Sequence, residues 1–534
     1  MKKDVKWIIV TGGVLSGIGK GTAAASIGKL LSLNFKVVPI KCDGYINVDP
    51  GTMNPFEHGE VFVLDDGGEV DMDFGHYERM LDINATSEQS ITTGRVFGEV
   101  IKKEREGKFL GKTVQVIPHI TNDILERFER VAEEQQADVI LVEIGGTAGD
   151  IENSWFIEAA RQLKHKVGEG NICYVHLSYV PFLDSVGQQK TKPVQRDVQH
   201  LRENGIIPDI IIARSRNQLH KESKEKIALF CDVPLEAVIS ARDIESVYQV
   251  PAMFEKEGLL DFLARKFSFR PKTDLTEWNR LVNRILKPAK EVNIVIGGKY
   301  TMLNDSYASL IEALIHAGAH FNAKVNIRFI ETTDIETGKV TVREATKGAD
   351  GIIIPIGFGS RGVEGKIACA QYARENNIPY LGLCYGMQLA VVEFARNVCG
   401  LKDAHTTECE PKTPHPVIDI LPEQRNITDK GGTMRLGLYE AVLKPDTIVQ
   451  KLYGKGKVAE RHRHRYEVNP EYHEILQKHG LVLSGTSENG RLVEFIELPK
   501  HKYFVATQAH PEYRSRLERP SPLFYGFIQA CLKN

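Results

Sequence analysis

The short apolar run Trp7–Val10 breaks into Gly12-Gly13-Val14-Leu15-Ser16-Gly17-Ile18-Gly19-Lys20-Gly21-Thr22 and then into the helix-forming stretch Ala23–Leu31. Strand, glycine-rich turn and helix in that order leave few folds open, because such a turn belongs at the carboxyl edge of a sheet whose strands are returned by helices. Glycines let backbone N–H groups face an anion, the helix N-terminus adds partial positive charge, and Lys20 supplies a full one. The turn reads as a triphosphate cradle. It departs from G-x-x-x-x-G-K-[ST]: Gly13 sits one residue early and Gly21 replaces the hydroxyl residue after the lysine, so the usual magnesium hydroxyl is displaced or missing. The alternative is a plain glycine turn.

The rest of the chain supports a sheet of that kind. Runs rich in β-branched residues at Lys36–Ile40, Val139–Val142, Ile172–Leu177 and Ile210–Ala213 alternate with helical patterns, which predicts a parallel sheet with covering helices. One such helix follows the capping candidate Thr121, with Ile124, Leu125, Phe128, Val131 and Ala132 at helical spacing. Residues 268–290 read as a structured linker with a short helix around Trp278, and a second α/β series follows with strands at Val292–Ile296, Val325–Ile330, Gly351–Ile354 and Pro379–Leu383. The expected domains are 1–267 and 291–534.

Composition narrows the class. At roughly 150 residues per domain, 534 residues allow two to four domains. With 68 Lys+Arg against 70 Asp+Glu the net charge is -2, which argues against general attraction to nucleic acid or anionic membrane. The eight cysteines are scattered, with no C-x-x-C pair, so neither a disulfide framework nor a zinc finger is expected. Lys2, Lys3 and Lys6 precede Trp7–Val10, which is too short for a signal core, and nothing approaches the roughly 18 apolar residues of a membrane span. A cytoplasmic protein is expected.

If the loop lacks its magnesium hydroxyl, carboxylates at other strand ends become candidates, because Mg²⁺ commonly takes one or two carboxylates plus phosphates. Glu143 ends the run Val139–Val142, where a charge has little structural purpose, and Asp73 lies in a polar loop, Gly67–His76, too elaborate for a connector. For either alone a solvated turn acid is an equal reading; as a pair beside a phosphate loop they point to metal. Lys190-Thr191-Lys192-Pro193 suggests a second anion site, since extended geometry before proline projects both lysines to one side.

The second series carries different chemistry. Gly382-Leu383-Cys384-Tyr385-Gly386 follows a strand and precedes the helical Met387–Val398, a nucleophile elbow with cysteine in place of serine. The helix N-terminus is expected to lower the thiol pKa. A base and its orienting acid are available in His510-Pro511-Glu512, after the strand-like Tyr503–Ala506, and backbone N–H groups of Gly357 and Tyr385 are candidate oxyanion donors. Arg461-His462-Arg463-His464-Arg465 lacks the interleaved aromatics of a nucleic-acid patch, so a local anion or carboxylate contact is expected.

These residues, in this order, closely resemble the CTP synthase family over nearly the whole chain. Especially specific are Ser16–Gly21, Tyr45–Met53, His58–Val63, Gly75–Arg79, Lys190–Pro193, Lys226–Cys231 and Arg461–Asn469. The resemblance implies two doubly wound α/β domains: a P-loop-like, Rossmann-type synthetase domain, then a class I glutamine amidotransferase domain of flavodoxin-like order. It implies amination of UTP to CTP with ATP, through a 4-phosphoryl intermediate and ammonia channelled from glutamine hydrolysis. ATP would meet Gly17, Ile18, Gly19, Lys20, Gly21, Thr22 and Asp73, with Arg242, Asp243 and Ile244 at the adenine; Mg²⁺ would sit on Asp73 and Glu143. UTP, or CTP as feedback inhibitor, would meet Ser16, Asp150, Ile151, Glu152, Lys190, Thr191, Lys192, Pro193, Val194, Gln195 and Lys226. Glutamine would be turned over by Cys384, His510 and Glu512 and held by Gly357, Tyr385, Gly386, Met387, Gln388, Glu408 and Arg465. The family further implies a lid at Arg361–Gly365 linked to activation by GTP, and a homotetramer.

The sequence departs from the family pattern at Ile356, Tyr385, Ala509 and Tyr513, where glycine, leucine and two phenylalanines are usual. Rival readings are a related amidoligase acting on a carboxylate and a non-catalytic nucleotide sensor or filament-forming scaffold.

Overall fold

The run Trp7–Val10 lies in the strand Lys6–Gly12, with Ile8, Ile9 and Val10 fully buried. The computed structural model describes residues 4–13, 15–54, 58–298, 304–420 and 432–533; Lys2, Lys3 and Val14 of the N-terminal readings lie outside them. The chain divides into two compact units, one of Met1–Pro50 and Asp73–Val282, the other of Gly51–Met72 and Asn283–Asn534.

In the first unit seven parallel strands run, edge to edge, Val238–Arg242, Ile210–Ser215, Ile172–Tyr179, Lys6–Gly12, Val139–Ile144, Val37–Asp43 and Ser90–Thr92. The central strands are buried on both faces, as a sheet covered by helices on both sides must be. The chain's progress across the sheet reverses around Lys6–Gly12, so the glycine turn leaves the sheet at a switch point, where open α/β sheets bind ligands. The helix expected after Thr121 spans Thr121–Glu134, but Thr121 is already helical, because a turn over Val116–Ile120 runs directly into it. Within the expected linker, Thr276–Leu286 forms a helix whose Trp278 is buried, donates from its indole N–H to the Tyr248 carbonyl at 2.9 Å, and lies under the Lys29 ammonium. The first unit therefore extends to Val282.

In the second unit the five parallel strands are ordered Ala323–Glu331, Lys290–Gly298, Gly351–Ile354, Tyr380–Leu383 and Phe504–Thr507. Numbered along the chain this is the flavodoxin-like order 2-1-3-4-5. Val295 faces one core and Ile294 and Ile296 the other, the alternation of a doubly covered strand. Four antiparallel strands, Val493–Glu497, Val482–Thr486, Arg435–Leu443 and Lys457–His464, extend the sheet. All eight cysteines are free, and among the described residues no helix is long and apolar enough to cross a membrane.

Candidate active sites

At the switch point of the first unit the glycine turn is shaped by its neighbours. A Cβ on Gly12 would meet the Lys20 side chain at 2.7 Å, and one on Gly21 would meet Asp73 Oδ1 at 2.0 Å, so a side chain at either position would have to displace a residue of this cluster. Gly17 and Gly19 hold φ of 70° and 94°, a backbone that favours glycine. Lys20 opens the helix Lys20–Ser32 and donates to the Gly146 carbonyl in the turn after Val139–Ile144.

Beside it the ammonium of Lys41 lies 2.5 Å from Asp73 Oδ2, 3.5 Å from Glu143 Oε1 and 3.4 Å from Asp43 Oδ1. Tyr77 donates its hydroxyl to Glu143 Oε2. Burial pushes Glu143 up to about 7 against the pull of Lys41 and Lys20, and burial also lowers Lys20. Asp73 and Glu143 thus converge on a single cation, as hard oxygen donors suited to Mg²⁺ do, although among the described residues no group of three or more His, Cys, Asp or Glu is arranged to hold a metal by itself. Phosphate oxygens and water would have to complete the shell. Lys41 was not singled out from the sequence: it is a lone charge in the buried strand Val37–Asp43, and strand pairing is what puts it in register with Glu143.

The expected nucleoside contacts collect next to the loop. Arg242, Asp243 and Ile244 line a cavity of about 290 Å³ together with Ile18, Gly19 and Thr22. Arg214, also absent from the sequence reading, donates to the Ile18 carbonyl at 2.6 Å in the same place.

The second anion segment differs from expectation. Lys192 opens the helix Lys192–Glu203, with Thr191 in the right-handed helical region, because proline is tolerated in a first helical turn. The two lysines therefore diverge: Lys190 donates to Gln188 Oε1 at 2.9 Å, and Lys192 lies 5.4 Å over the Phe230 ring. Val194 is fully buried in a core cluster, while Ser16, Ile151, Glu152 and Lys226 are exposed. Asp150 closes its own turn by accepting from the Thr147 N–H and hydroxyl.

In the second unit Cys384 holds φ 51° and ψ −101° between the strand Tyr380–Leu383 and the helix Tyr385–Asn397. A Cβ on Gly386 would meet the Ile354 carbonyl oxygen at 1.9 Å, and one on Gly382 would meet Gly386 at 2.9 Å. Tyr385 and Gly386 open the helix, where N–H groups have no carbonyl a turn earlier to serve. His510 Nδ1 lies 2.8 Å from Glu512 Oε1, both side chains buried. Burial acts to lower the imidazole, but the Glu512 carboxylate and Cys384 outweigh it and raise His510 to about 10. Tyr513 stacks on His510 at 5.2 Å and donates to the Val61 carbonyl at 3.2 Å, and Gln508 Nε2 lies 3.6 Å from Cys384 Sγ.

Around the thiol, Glu408 accepts from the Gly359 N–H at 2.7 Å, and Tyr385 donates to the Gly359 carbonyl at 2.9 Å. Gln388 donates to the Tyr466 carbonyl while its Oε1 is buried without a hydrogen bond. Arg465 reaches Thr433 Oγ1 at 2.8 Å. Ile356 and Gly357 line a cavity of about 250 Å³ with Val61, Arg463 and Tyr513. The lid segment is tied down: Glu336 accepts from the Gly362 and Glu364 N–H groups, and a Cβ on Gly365 would meet the Thr332 carbonyl oxygen at 2.0 Å.

All of the basic run but Arg465 lies in the strand Lys457–His464, and three of its side chains meet carboxylates: Arg461 and Asp65 at 2.6 Å, Arg463 and Glu69 at 2.8 Å, His462 and Glu494 at 3.4 Å. Its backbone serves the thiol site, with the Arg461 carbonyl accepting from the His510 N–H at 2.7 Å.

A nucleotide-binding α/β unit with a phosphate loop, joined to a class I glutamine amidotransferase unit, defines an amidoligase fed by glutamine. The sequence matches the family "CTP synthase N-terminus" over residues 6–269 and "Glutamine amidotransferase class-I" over 302–530. It is 54% identical to the CTP synthase of Methanocaldococcus jannaschii and 56% identical to that of Carboxydothermus hydrogenoformans, covering 99% of each chain in both cases. Among solved structures, the glutaminase domain of Trypanosoma brucei CTPS with bound acivicin is 38% identical and covers 46% of this chain and 94% of that one, with a TM-score of 0.43. The chain belongs to the CTP synthase family.

Proposed function

We propose that the chain converts UTP to CTP, with ATP activating the uracil and glutamine or free ammonia supplying nitrogen. The observation that carries this reading is that one chain holds two built centres, the Lys20/Lys41 pair with Asp73 and Glu143, and Cys384 with the His510–Glu512 pair. A carbonyl-type oxygen is a poor leaving group; phosphorylating it makes phosphate the group that departs. Lys20 and Lys41 offset the charge of the transferring phosphoryl group. Mg²⁺ held by Asp73 and Glu143 would supply further charge neutralisation on the phosphates.

The amine donor must be uncharged. Cys384 attacks the glutamine carboxamide, His510 moves protons between thiol and leaving ammonia, and the thioester is then hydrolysed. Ammonia released to water at neutral pH becomes ammonium, so direct passage between centres belongs to this reading. The Arg242–Ile244 cavity suits the adenine of ATP, and the segments 150–152 and 190–195 with Lys226 are assigned to UTP, or to CTP as inhibitor. GTP activation through 361–365, a homotetramer and a cytoplasmic location are proposed on family resemblance. The test is CTP formation from UTP and ATP, with glutamine or ammonium, with and without GTP. Amination of a carboxylate substrate with none of UTP would overturn the reading.

A further inference from the structure

Ile356 and Tyr385, two of the departures from the family pattern, meet at the turn that carries the candidate oxyanion donor Gly357. Tyr385 is 1% exposed, and its hydroxyl donates to the Gly359 carbonyl at 2.9 Å. That spends the one proton the hydroxyl has, so the Cys409 thiol, 3.1 Å away, donates to the same oxygen. Gly359 is held from its other side as well, since its N–H donates to Glu408 at 2.7 Å. One glycine, at φ 72°, is thus fixed through both of its backbone polar groups by side chains from two other segments.

Gly357, two residues earlier, is fixed by contact. A Cβ there would lie 2.9 Å from Lys366 Nζ and 3.0 Å from the Tyr385 ring, so its backbone is lodged between the two, and the Lys366 ammonium itself stands 5.0 Å over that ring. Before it, Ile356 packs against the core that holds Ile294 and Ile296, an anchor that a glycine would not have, and its Cβ narrows a backbone that glycine would leave free. Tyr385 opens its own helix, so its backbone N–H has no carbonyl a turn earlier to serve and is the second candidate donor. The side chain of this residue therefore sets where the first donor stands relative to the donor that its backbone supplies. Donors fixed in advance stabilise a developing oxyanion without the cost of rearranging at the moment of reaction.

We propose that Tyr385, through its side chain, is a positioning residue for glutamine hydrolysis: its hydroxyl and ring hold the turn 357–359 so that the two backbone donors face one oxygen before glutamine arrives. This rests on the assignment of Cys384 to glutamine turnover. The experiment compares the native full chain with Tyr385→Phe, which removes the hydroxyl and keeps the ring, in two reactions. One is glutamine hydrolysis with UTP, ATP and GTP present. The other is alkylation by iodoacetamide, followed by the mass of the Cys384 peptide; it forms the C–S bond at a saturated carbon and releases iodide with no oxyanion, so it reports the thiol and not the donors. In Tyr385→Phe, kcat for glutamine falls by about tenfold to a hundredfold, up to the loss of one whole donor, while KM moves by less than about threefold and alkylation keeps its native rate. Ile356→Gly lowers kcat in the same sense, again with alkylation unchanged, and serves if Tyr385→Phe does not fold. A native kcat in the folded phenylalanine variant would overturn the proposal alone, as would an equal loss of alkylation, which would mean that the hydroxyl acts on the thiol. A native chain that hydrolyses no glutamine would overturn it together with the assignment of Cys384.

Discussion

At Cys384 the backbone is held in a region that costs a residue with a Cβ of order 1–3 kcal/mol, inside a turn whose close packing a Cβ at Gly382 or Gly386 would break. The same crowding places the thiol beside an imidazole that Glu512 keeps protonated. His510 is raised to about 10, above the ordinary imidazole value, so the stability this pair contributes is fully present below a pH of about 6.5 and is lost as pH rises through about 10. Glu512→Gln should drop the His510 titration toward and below the ordinary value, because burial is then opposed only by Cys384; the histidine NMR signal measures it. An unmoved titration would mean that Glu512 does not set the charge. At the other centre Lys20→Ala should lower CTP formation by roughly a hundredfold or more with both nitrogen sources, measured at saturating UTP. Cys384, His510, Glu512 and Lys20 were readable because each sits in a spacing that has no better structural explanation. Lys41 and Arg214 were not, because isolated basic residues in strands gain meaning only from register with partners distant in sequence.

Among the elements, the five parallel strands of the second unit were readable from short β-branched runs, and the antiparallel extension was not. The strand Lys457–His464 is the clearest case. The expected carboxylate contact is there, Arg461 on Asp65, but nothing in the run announces a buried strand: Arg461, His462 and His464 are all buried, and burial beside Arg435 lowers both imidazoles well below their ordinary value. Arg435, on the adjacent strand, bridges Glu467 at 2.9 Å and Glu494 at 2.7 Å, both carboxylates buried. Taking the guanidinium away strands those acids, so Arg435→Met should destabilise the fold by about 3–5 kcal/mol, seen as a lower urea midpoint; an unchanged midpoint would mean the acids relax to neutrality at little cost. Gly386→Ala tests the elbow in the same way: its methyl group would have to displace the Ile354 backbone, and overpacking of this kind costs about 1–3 kcal/mol. Glutamine hydrolysis should be lost while the ammonia-dependent reaction persists.

At the scale of the whole chain, the segment Gly51–Met72 belongs to the second unit although the chain on either side of it belongs to the first. Asp65 and Glu69 of that segment pair with Arg461 and Arg463, and Val61 receives the Tyr513 hydroxyl next to His510. Asp73, the first residue after the segment, is one of the three acids on Lys41. No composition or periodicity argument could place this excursion, since its pairing partners lie several hundred residues later in the chain. The central claim is that the thiol centre makes ammonia and the phosphate centre consumes it. The most direct measurement is CTP formation by Cys384→Ala, with UTP, ATP and Mg²⁺, supplied in turn with glutamine and with ammonium chloride. Activity with ammonium close to that of the native chain, and none with glutamine, is the predicted result; loss of both in a folded variant, or continued use of glutamine, would contradict it.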